Sequence, residues 1–488
     1  MTTTRTVRTE PILIDGQRVR AASGATIPAT NPATGETIAE VPRCDAGDVA
    51  RAVSAASAAL PGWRDTDPAG RAARLNALAA AIESDAERLS DLDVADNGSP
   101  RHEMRKDAAS AARKLRYFAG LVLQVRGETL PSSPGRLNYS LRQPYGVVGR
   151  LMPFNHPLMF SAAKIAAPLA AGNTIVVKPS EHTSLSTLAL CEHIADIFPS
   201  GVVNVVTGYG GEAGDALVTH PDVRRLAFIG SAGTGQAILR RAAEAGIKHV
   251  TLELGGKNPL VVFPDADLDT AVDGAVAGMN FTWQGQSCGS TSRVLVHRDA
   301  YDAFVARLAD RVGALRPGLP DDPGCDLGAI VNEQQMEKVL RYIDIGVEDG
   351  ARLVTGGTRV TDGGLANGLF VRPAVFADVA PDSRLAQEEI FGPVLAVIRY
   401  DDYADALRIA NGIGYGLTAA AYTRDLETAH RFARDVEAGY VWINETSRHI
   451  AGASFGGVKG SGLGREEDLE ELVSYTESKN VHIRYGAS

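Results

Sequence analysis

Thr174-Ile175-Val176-Val177-Lys178-Pro179-Ser180-Glu181 decides the fold. Thr174 to Val177 has the β-branched, apolar content of a short buried strand, and Lys178-Pro179-Ser180 stops it. The same unit recurs on both sides. Gly146 to Leu151, Val202 to Val206, Arg225 to Ile229 and His249 to Leu254 are short apolar strands separated by amphipathic helical stretches. That alternation predicts an α/β fold built on a doubly wound parallel sheet. Several strand ends run into Pro, Gly or Ser, as at Thr207-Gly208 and Gly230-Ser231. Such sheets bind ligands at the carboxyl ends of their strands, so a cofactor crevice is expected there.

Upstream, Asp45 to Leu60 reads as a helix. Asp67 to Asn97 reads as one long helix, capped by Asp67, opened by Pro68 and closed by Asn97-Gly98. Downstream, the alternation restarts with Leu260 to Phe263, a helix from Asp267 to Trp283, a strand from Arg293 to His297 and a helix from Tyr301 to Val312. This predicts a second α/β lobe. Breakers between Pro131 and Gly135 precede a polar alternating strand, Leu137 to Gln143, which we read as an arm together with the strand-like Ser478 to Tyr485.

The chain of 488 residues exceeds what one hydrophobic core usually serves. Its 44% hydrophobic and 22% charged residues are those of a soluble globular protein, and its net charge of -10 offers no basic surface for nucleic acid or an anionic membrane. No apolar run approaches membrane-spanning length, and Met1 to Arg20 has no core for a signal peptide. The four cysteines, Cys44, Cys191, Cys288 and Cys325, are too few and scattered for a disulfide framework, which points to the cytoplasm. Ten histidines and four cysteines never fall at zinc-ligand spacing, so no metal is expected. Cys44 and Cys325 read as lying in polar loops, and Cys191 as helix core.

One thiol stands apart. Cys288, in Gln286-Ser287-Cys288-Gly289, lies downstream of Glu253 in Glu253-Leu254-Gly255-Gly256-Lys257. A thiol attacks only as thiolate, so it needs a lowered pKa or a base, and a carboxylate can be that base.

Those two segments belong to an ordered series with Pro153-Phe154-Asn155-His156-Pro157, Lys178-Pro179-Ser180-Glu181, Gly230-Ser231, Glu389-Ile390-Phe391-Gly392-Pro393 and Phe455-Gly456-Gly457-Val458-Lys459-Gly460-Ser461-Gly462. In this order, over nearly its whole length, the chain resembles the aldehyde dehydrogenase superfamily. The resemblance implies a Rossmann-like dinucleotide-binding lobe at residues 1–125 and 145–252. It also implies a catalytic lobe at 253–455 carrying the cysteine, and an oligomerisation arm at 126–144 and 472–488. It implies Cys288 as nucleophile, Asn155 as oxyanion donor with the Cys288 backbone N–H, and Glu253 as the base that activates the hydrolytic water. Lys164 and Glu466 either relay the Glu253 proton to solvent or form a structural ion pair. The chain has no good Gly-x-Gly-x-x-Gly. The cofactor is instead assigned to Lys178 and Glu181 at the adenosine ribose, Gly230 and Ser231 at the pyrophosphate, and Glu389 and Phe391 at the nicotinamide ribose and ring, with Phe154, Ser180, Gly210 and Leu254 also among its contacts. Glu181 repels a 2′-phosphate and so favours NAD over NADP. A homodimer or homotetramer follows from the arm.

The chain departs from relatives that oxidise simple alkyl aldehydes. His156 and His449 stand where those relatives carry aromatics, Arg448 adjoins His449, and Ala163 replaces a bulkier aromatic. With Phe160, Phe281, Trp283 and Phe455 nearby, the tunnel resembles that of bacterial enzymes acting on carboxy- or hydroxy-substituted benzaldehydes. Core packing explains the aromatics equally well, and Arg448 either clamps an anionic tail or points to solvent. A semialdehyde or betaine-type aldehyde, and a non-catalytic protein retaining the fold, are the alternatives.

Overall fold

The computed structural model describes residues 8–485. Residues 1–7 and 486–488, at the expected start of the first lobe and end of the arm, lie outside the described residues.

The recurring strand unit assembles into an eight-stranded sheet. Its order is Gly462–Leu463, His249–Glu253, Val223–Ile229, Val147–Leu151, Thr174–Lys178, Val203–Val205, Ile12–Ile14 and Gln17–Val19. The five central strands are parallel, and the strands added at both edges are antiparallel. They are buried on both faces, which explains why they read as continuous apolar runs. From Val147–Leu151 the chain builds outward one way, then crosses back to place Val223–Ile229 on the other side. Chain order therefore reverses between these two neighbours, opening a crevice at their carboxyl ends.

After Glu253 a second sheet of seven strands forms, from Pro259–Val262 to Tyr440–Ile443, parallel except for the edge strand Arg352–Thr355. A third sheet joins Thr476–Arg484, Arg136–Pro144 and Thr129–Leu130, all antiparallel. Leu137, Tyr139 and Leu141 share one face of Arg136–Pro144. Ile483 and Val481 stand opposite Leu137 and Tyr139, and Leu137, Leu141 and Ile483 are exposed.

Three helical expectations change. Asp67 does cap its helix, accepting from the Gly70 N–H, but the stretch breaks at Asp85 into Pro68–Ser84 and Ala86–Asn97. Residues Ala46–Asp65 stay helical through Pro61. The helix expected to reach Trp283 ends at Gly278, because Asn280 turns into the left-handed region at φ 55° and a tight 3-10 turn, Phe281–Trp283, follows. Cys44 and Cys325 do lie outside helices and strands but are buried, and burial foremost raises their thiols to about 12 and about 11. All four cysteines are free. No helix among the described residues is long and apolar enough to cross a membrane, and no group of three or more His, Cys, Asp or Glu there is placed to hold a metal.

Candidate active site

A cavity of about 710 Å³ occupies the crevice where chain order reverses. Its floor is made of strand ends. Leu151 and Phe154 follow one central strand, Lys178 closes the next, and Ile229, Gly230 and Leu254 follow the pair beside them. Ser231 caps helix Ala232–Ala245, accepting from the Thr234 N–H at 3.3 Å, so the helix N-terminus with its partial positive charge borders the cavity. A Cβ at Gly210, Gly211 or Gly233 would meet only open space, so bare backbone faces the void there. Lys178 Nζ donates to the Pro179 carbonyl at 2.8 Å and lies 3.3 Å from Glu181 Oε2. Burial works against the Glu181 carboxylate, but Lys178 and its neighbours outweigh burial and keep it ionised. Ser180 borders the same end.

At the opposite end Glu389 accepts from the Gly256 N–H at 3.0 Å, and a Cβ on Gly255 would strike its carboxylate at 2.1 Å. Only glycine lets that loop lie so close. Phe391 sits at φ 60°, its ring edge-on to Phe154 with centroids 5.6 Å apart. A helix N-terminus for a pyrophosphate, a Lys–carboxylate pair for a ribose and a second carboxylate at the far end fit an extended dinucleotide.

A second cavity, about 370 Å³, opens on the other side. Ile229, Glu253 and Cys288 are the residues that line both. The thiol thus stands at the junction. It is carried by the sharp turn around Gln284 and Gly285, both left-handed, and a Cβ on Gly285 would lie 2.3 Å from the Gly392 carbonyl. Asn155 borders the first cavity, its Nδ2 donating to the Gln286 carbonyl at 3.0 Å. Glu253 ends the strand His249–Glu253 and is buried, with neither carboxylate oxygen hydrogen-bonded. Burial first, and the Glu466 charge next, push its carboxyl well above the usual range. Burial, then the Glu253 charge, raises the Cys288 thiol to about 12. The Cys288 thiol holds its proton at neutral pH. Activation therefore requires proton transfer between neighbours rather than a pre-formed thiolate.

The aldehyde dehydrogenase family profile matches residues 19–481. The chain belongs to the aldehyde dehydrogenase family. It is 44% identical over 465 residues to aldehyde dehydrogenase tropH of Talaromyces stipitatus, covering 94% of this chain and 90% of that one. Among solved structures it resembles the NAD+ complex of an aldehyde dehydrogenase from Bacillus cereus, at 40% identity and a TM-score of 0.94, covering 98% and 96% of the two chains. It also resembles PnpE from Pseudomonas sp. WBC-3 in complex with nicotinamide adenine dinucleotide, at 41% identity and a TM-score of 0.96, over 98% of each chain.

In this aldehyde dehydrogenase, Lys164 and Glu466 form part of a buried ionic cluster. Lys164 Nζ lies 2.7 Å from Glu466 Oε2 and 3.5 Å from Glu467 Oε1, while Arg150 donates to Glu466 at 2.6 Å. Burial disfavours the Glu466 carboxylate, yet Arg150 and Lys164 hold it down at about 2. Glu466 and Lys164 line the second cavity with Glu253.

The residues expected to meet substrate divide into two groups. His156, Phe160, His449 and Phe455 line the second cavity. His156 Nδ1 lies 2.7 Å from Asp107 Oδ2, with its ring 5.2 Å from Trp283 and 5.3 Å from Phe160. His449 lies 4.8 Å from Phe455 and reaches Glu467 at 3.3 Å. Phe281 and Arg448 are elsewhere. Phe281 turns into the second lobe's core because the helix before it ends early, and it borders a separate cleft. Arg448 points outward to Glu445 at 3.1 Å, while its carbonyl accepts from Trp442 Nε1 at 2.8 Å. The sequence reading missed helix Arg101–Leu121, which supplies Lys106, Asp107, Ser110, Arg113, Lys114 and Tyr117 to this wall. Their recurrence at intervals of three and four was the available signal. It also missed Gln335 and Lys338 of helix Glu333–Glu348, which border the first cavity.

Proposed function

We propose that the protein oxidises an aldehyde bearing a ring and a polar substituent to the carboxylic acid, with NAD as acceptor. The observation that carries this reading is the placement of Cys288 and Glu253 at the meeting point of a dinucleotide-sized crevice and a separate tunnel. Lys178, Ser180 and Glu181 hold the adenosine ribose, Gly210, Gly230 and Ser231 the pyrophosphate, and Phe154, Leu254, Glu389 and Phe391 the nicotinamide end. Glu181 selects against a 2′-phosphate.

The aldehyde enters through the tunnel. Cys288 Sγ attacks the carbonyl carbon while Glu253 takes the thiol proton, forming an S–C bond and leaving the oxygen negative. Asn155 Nδ2 and the Cys288 N–H donate to that oxygen, each worth about 3–4 kcal/mol in the transition state. The residues of the crevice would hold NAD, which would supply the acceptor for the hydride leaving the aldehyde carbon. The acyl group then sits on Cys288 as a thioester. Glu253 removes a proton from water as it attacks, the C–S bond breaks, and the acid departs. Lys164 and Glu466 carry the proton away from Glu253.

His156, Phe160, Trp283, His449 and Phe455 give the tunnel both rings and polar edges, which supports the aromatic, polar-tailed substrate. The apolar face of Leu137, Tyr139, Leu141, Val481 and Ile483 supports assembly into a homodimer or homotetramer through the arm. Four free cysteines suit a cytoplasmic enzyme.

NADH formation tests the reading, with benzaldehyde, carboxybenzaldehydes, succinic semialdehyde and betaine aldehyde, each with NAD and with NADP. Preference for the aromatic aldehydes with NAD is expected, and preference for the short semialdehyde would overturn the substrate assignment. The pH profile is a separate prediction. Burial raises both Cys288 and Glu253, so their reactive, deprotonated forms gain as pH rises, and kcat/KM climbs with pH through the neutral and mildly alkaline range. A rate that falls over that range would contradict the assignment of Glu253 as base.

A further inference from the structure

The charged groups on the tunnel wall are paired with one another almost throughout. Lys106 meets Glu103 at 2.8 Å, Asp107 meets His156 at 2.7 Å, Lys164 meets Glu466 at 2.7 Å, and Lys114 pairs with Glu467, which His449 also reaches at 3.3 Å. Glu253 is the reacting carboxylate. Arg113 is different. Among the described residues it is the one cation of this wall with neither a carboxylate within ion-pair distance nor a hydrogen bond.

Its position follows from the helix that bears it. Along Arg101–Leu121, Ala108, Ala111, Ala112, Leu115 and Phe118 are buried against the first lobe's core. Lys106, Ser110, Arg113 and Tyr117 recur every three or four residues and face the tunnel. Lys164 and Glu466 are buried, Cys288 is partly covered and Arg113 is exposed, so the wall grades from a dry floor to a wet mouth with Arg113 at the mouth.

We infer that Arg113 is a specificity-determining residue that receives a carboxylate at the end of the substrate remote from the aldehyde. A guanidinium offers a fork of N–H donors that matches a carboxylate in bidentate fashion, and an unpaired one needs no existing ion pair broken to do so. The remaining cations are already engaged by Glu103, Glu467 or Glu466, so turning one of them to substrate breaks an existing ion pair. Arg448, exposed and held by Glu445, takes no part. This inference rests on the oxidation chemistry proposed above and narrows its substrate from polar-tailed to anionic-tailed aldehydes.

The test compares kcat/KM for 4-carboxybenzaldehyde, benzaldehyde and succinic semialdehyde in the wild type and in Arg113→Ala, Arg113→Lys and Arg448→Ala, at low and high salt. In Arg113→Ala the ratio of carboxybenzaldehyde to benzaldehyde should fall about ten- to a hundredfold. The change should appear chiefly in KM, and its salt dependence should flatten. Arg113→Lys should recover part of the ratio, and Arg448→Ala should leave it unchanged. A ratio unmoved in Arg113→Ala, or lowered equally in Arg448→Ala, overturns the inference even if aromatic aldehydes remain the better substrates. If instead benzaldehyde is not turned over while succinic semialdehyde loses activity in Arg113→Ala, Arg113 is upheld and the aromatic reading falls.

Discussion

Cys288→Ala should yield a folded protein whose aldehyde-dependent NADH formation falls by about 10⁴-fold or more, since removing a covalent nucleophile forfeits the whole two-step route. No other group can stand in. Cys44, Cys191 and Cys325 are buried away from both cavities, and the neighbouring Ser287 and Ser290 hydroxyls are far harder to deprotonate than a thiol. The substitution removes only a sulfur at a partly covered position, so the melting midpoint should stay close to that of the wild type. Initial rates with a good aldehyde, set beside a thermal melt, read both quantities. Retention of more than about a hundredth of the activity would place the nucleophile elsewhere.

Glu253→Gln should separate the two halves of the reaction. The amide fits the same buried space at the end of strand His249–Glu253 but cannot accept a proton from water. Aldehyde addition is slowed and thioester hydrolysis is slowed more. Mixing enzyme, NAD and aldehyde should therefore give a burst of NADH approaching one per active site, followed by turnover reduced about 10²- to 10⁴-fold, the usual worth of a positioned base. Intact-mass measurement of the quenched enzyme should find the acyl group on Cys288. A linear time course without burst, and no acyl adduct, would show that Glu253 does not act on the hydrolytic step. The same variant removes a carboxylate whose ionised form opposes a thiolate, so alkylation of Cys288 by iodoacetamide should move to lower pH.

The parallel-sheet strands were legible because each is buried on both faces and so writes itself as an apolar run between breakers. Thr174–Lys178 and Arg293–His297 lie within a residue of their sequence limits. Edges were harder. Ile12–Ile14 and Gln17–Val19 are too short to carry a pattern, and Gly462–Leu463 becomes a strand only because His249–Glu253 offers it an unpaired side. Asp85 ends one helix and precedes another in a stretch whose alanines favour continuing, so local propensity hid the break. At the site, proximity in sequence misled. Arg448 and Phe281 each stand next to residues at the cavity wall, yet a left-handed Ser447 and a left-handed Asn280 turn them away. The wall that does face substrate comes from Arg101–Leu121, distant in sequence, where a polar stripe on a helix reads like any solvated surface.

The short strand Gly462–Leu463 has a consequence in time. It closes the edge of the sheet beside Glu253, and the residues after it supply Glu466, the bridge from Phe455 to Glu466, and Tyr475, whose hydroxyl meets Arg150 at 3.1 Å. A nascent chain extended to Gly460 already contains Cys288, Glu253 and the strands of both large sheets that precede it, but the strand bearing its base is flanked on one side alone and Lys164 has no counter-ion from Glu466. The surroundings of the base are therefore complete only once the residues after Gly460 have been made.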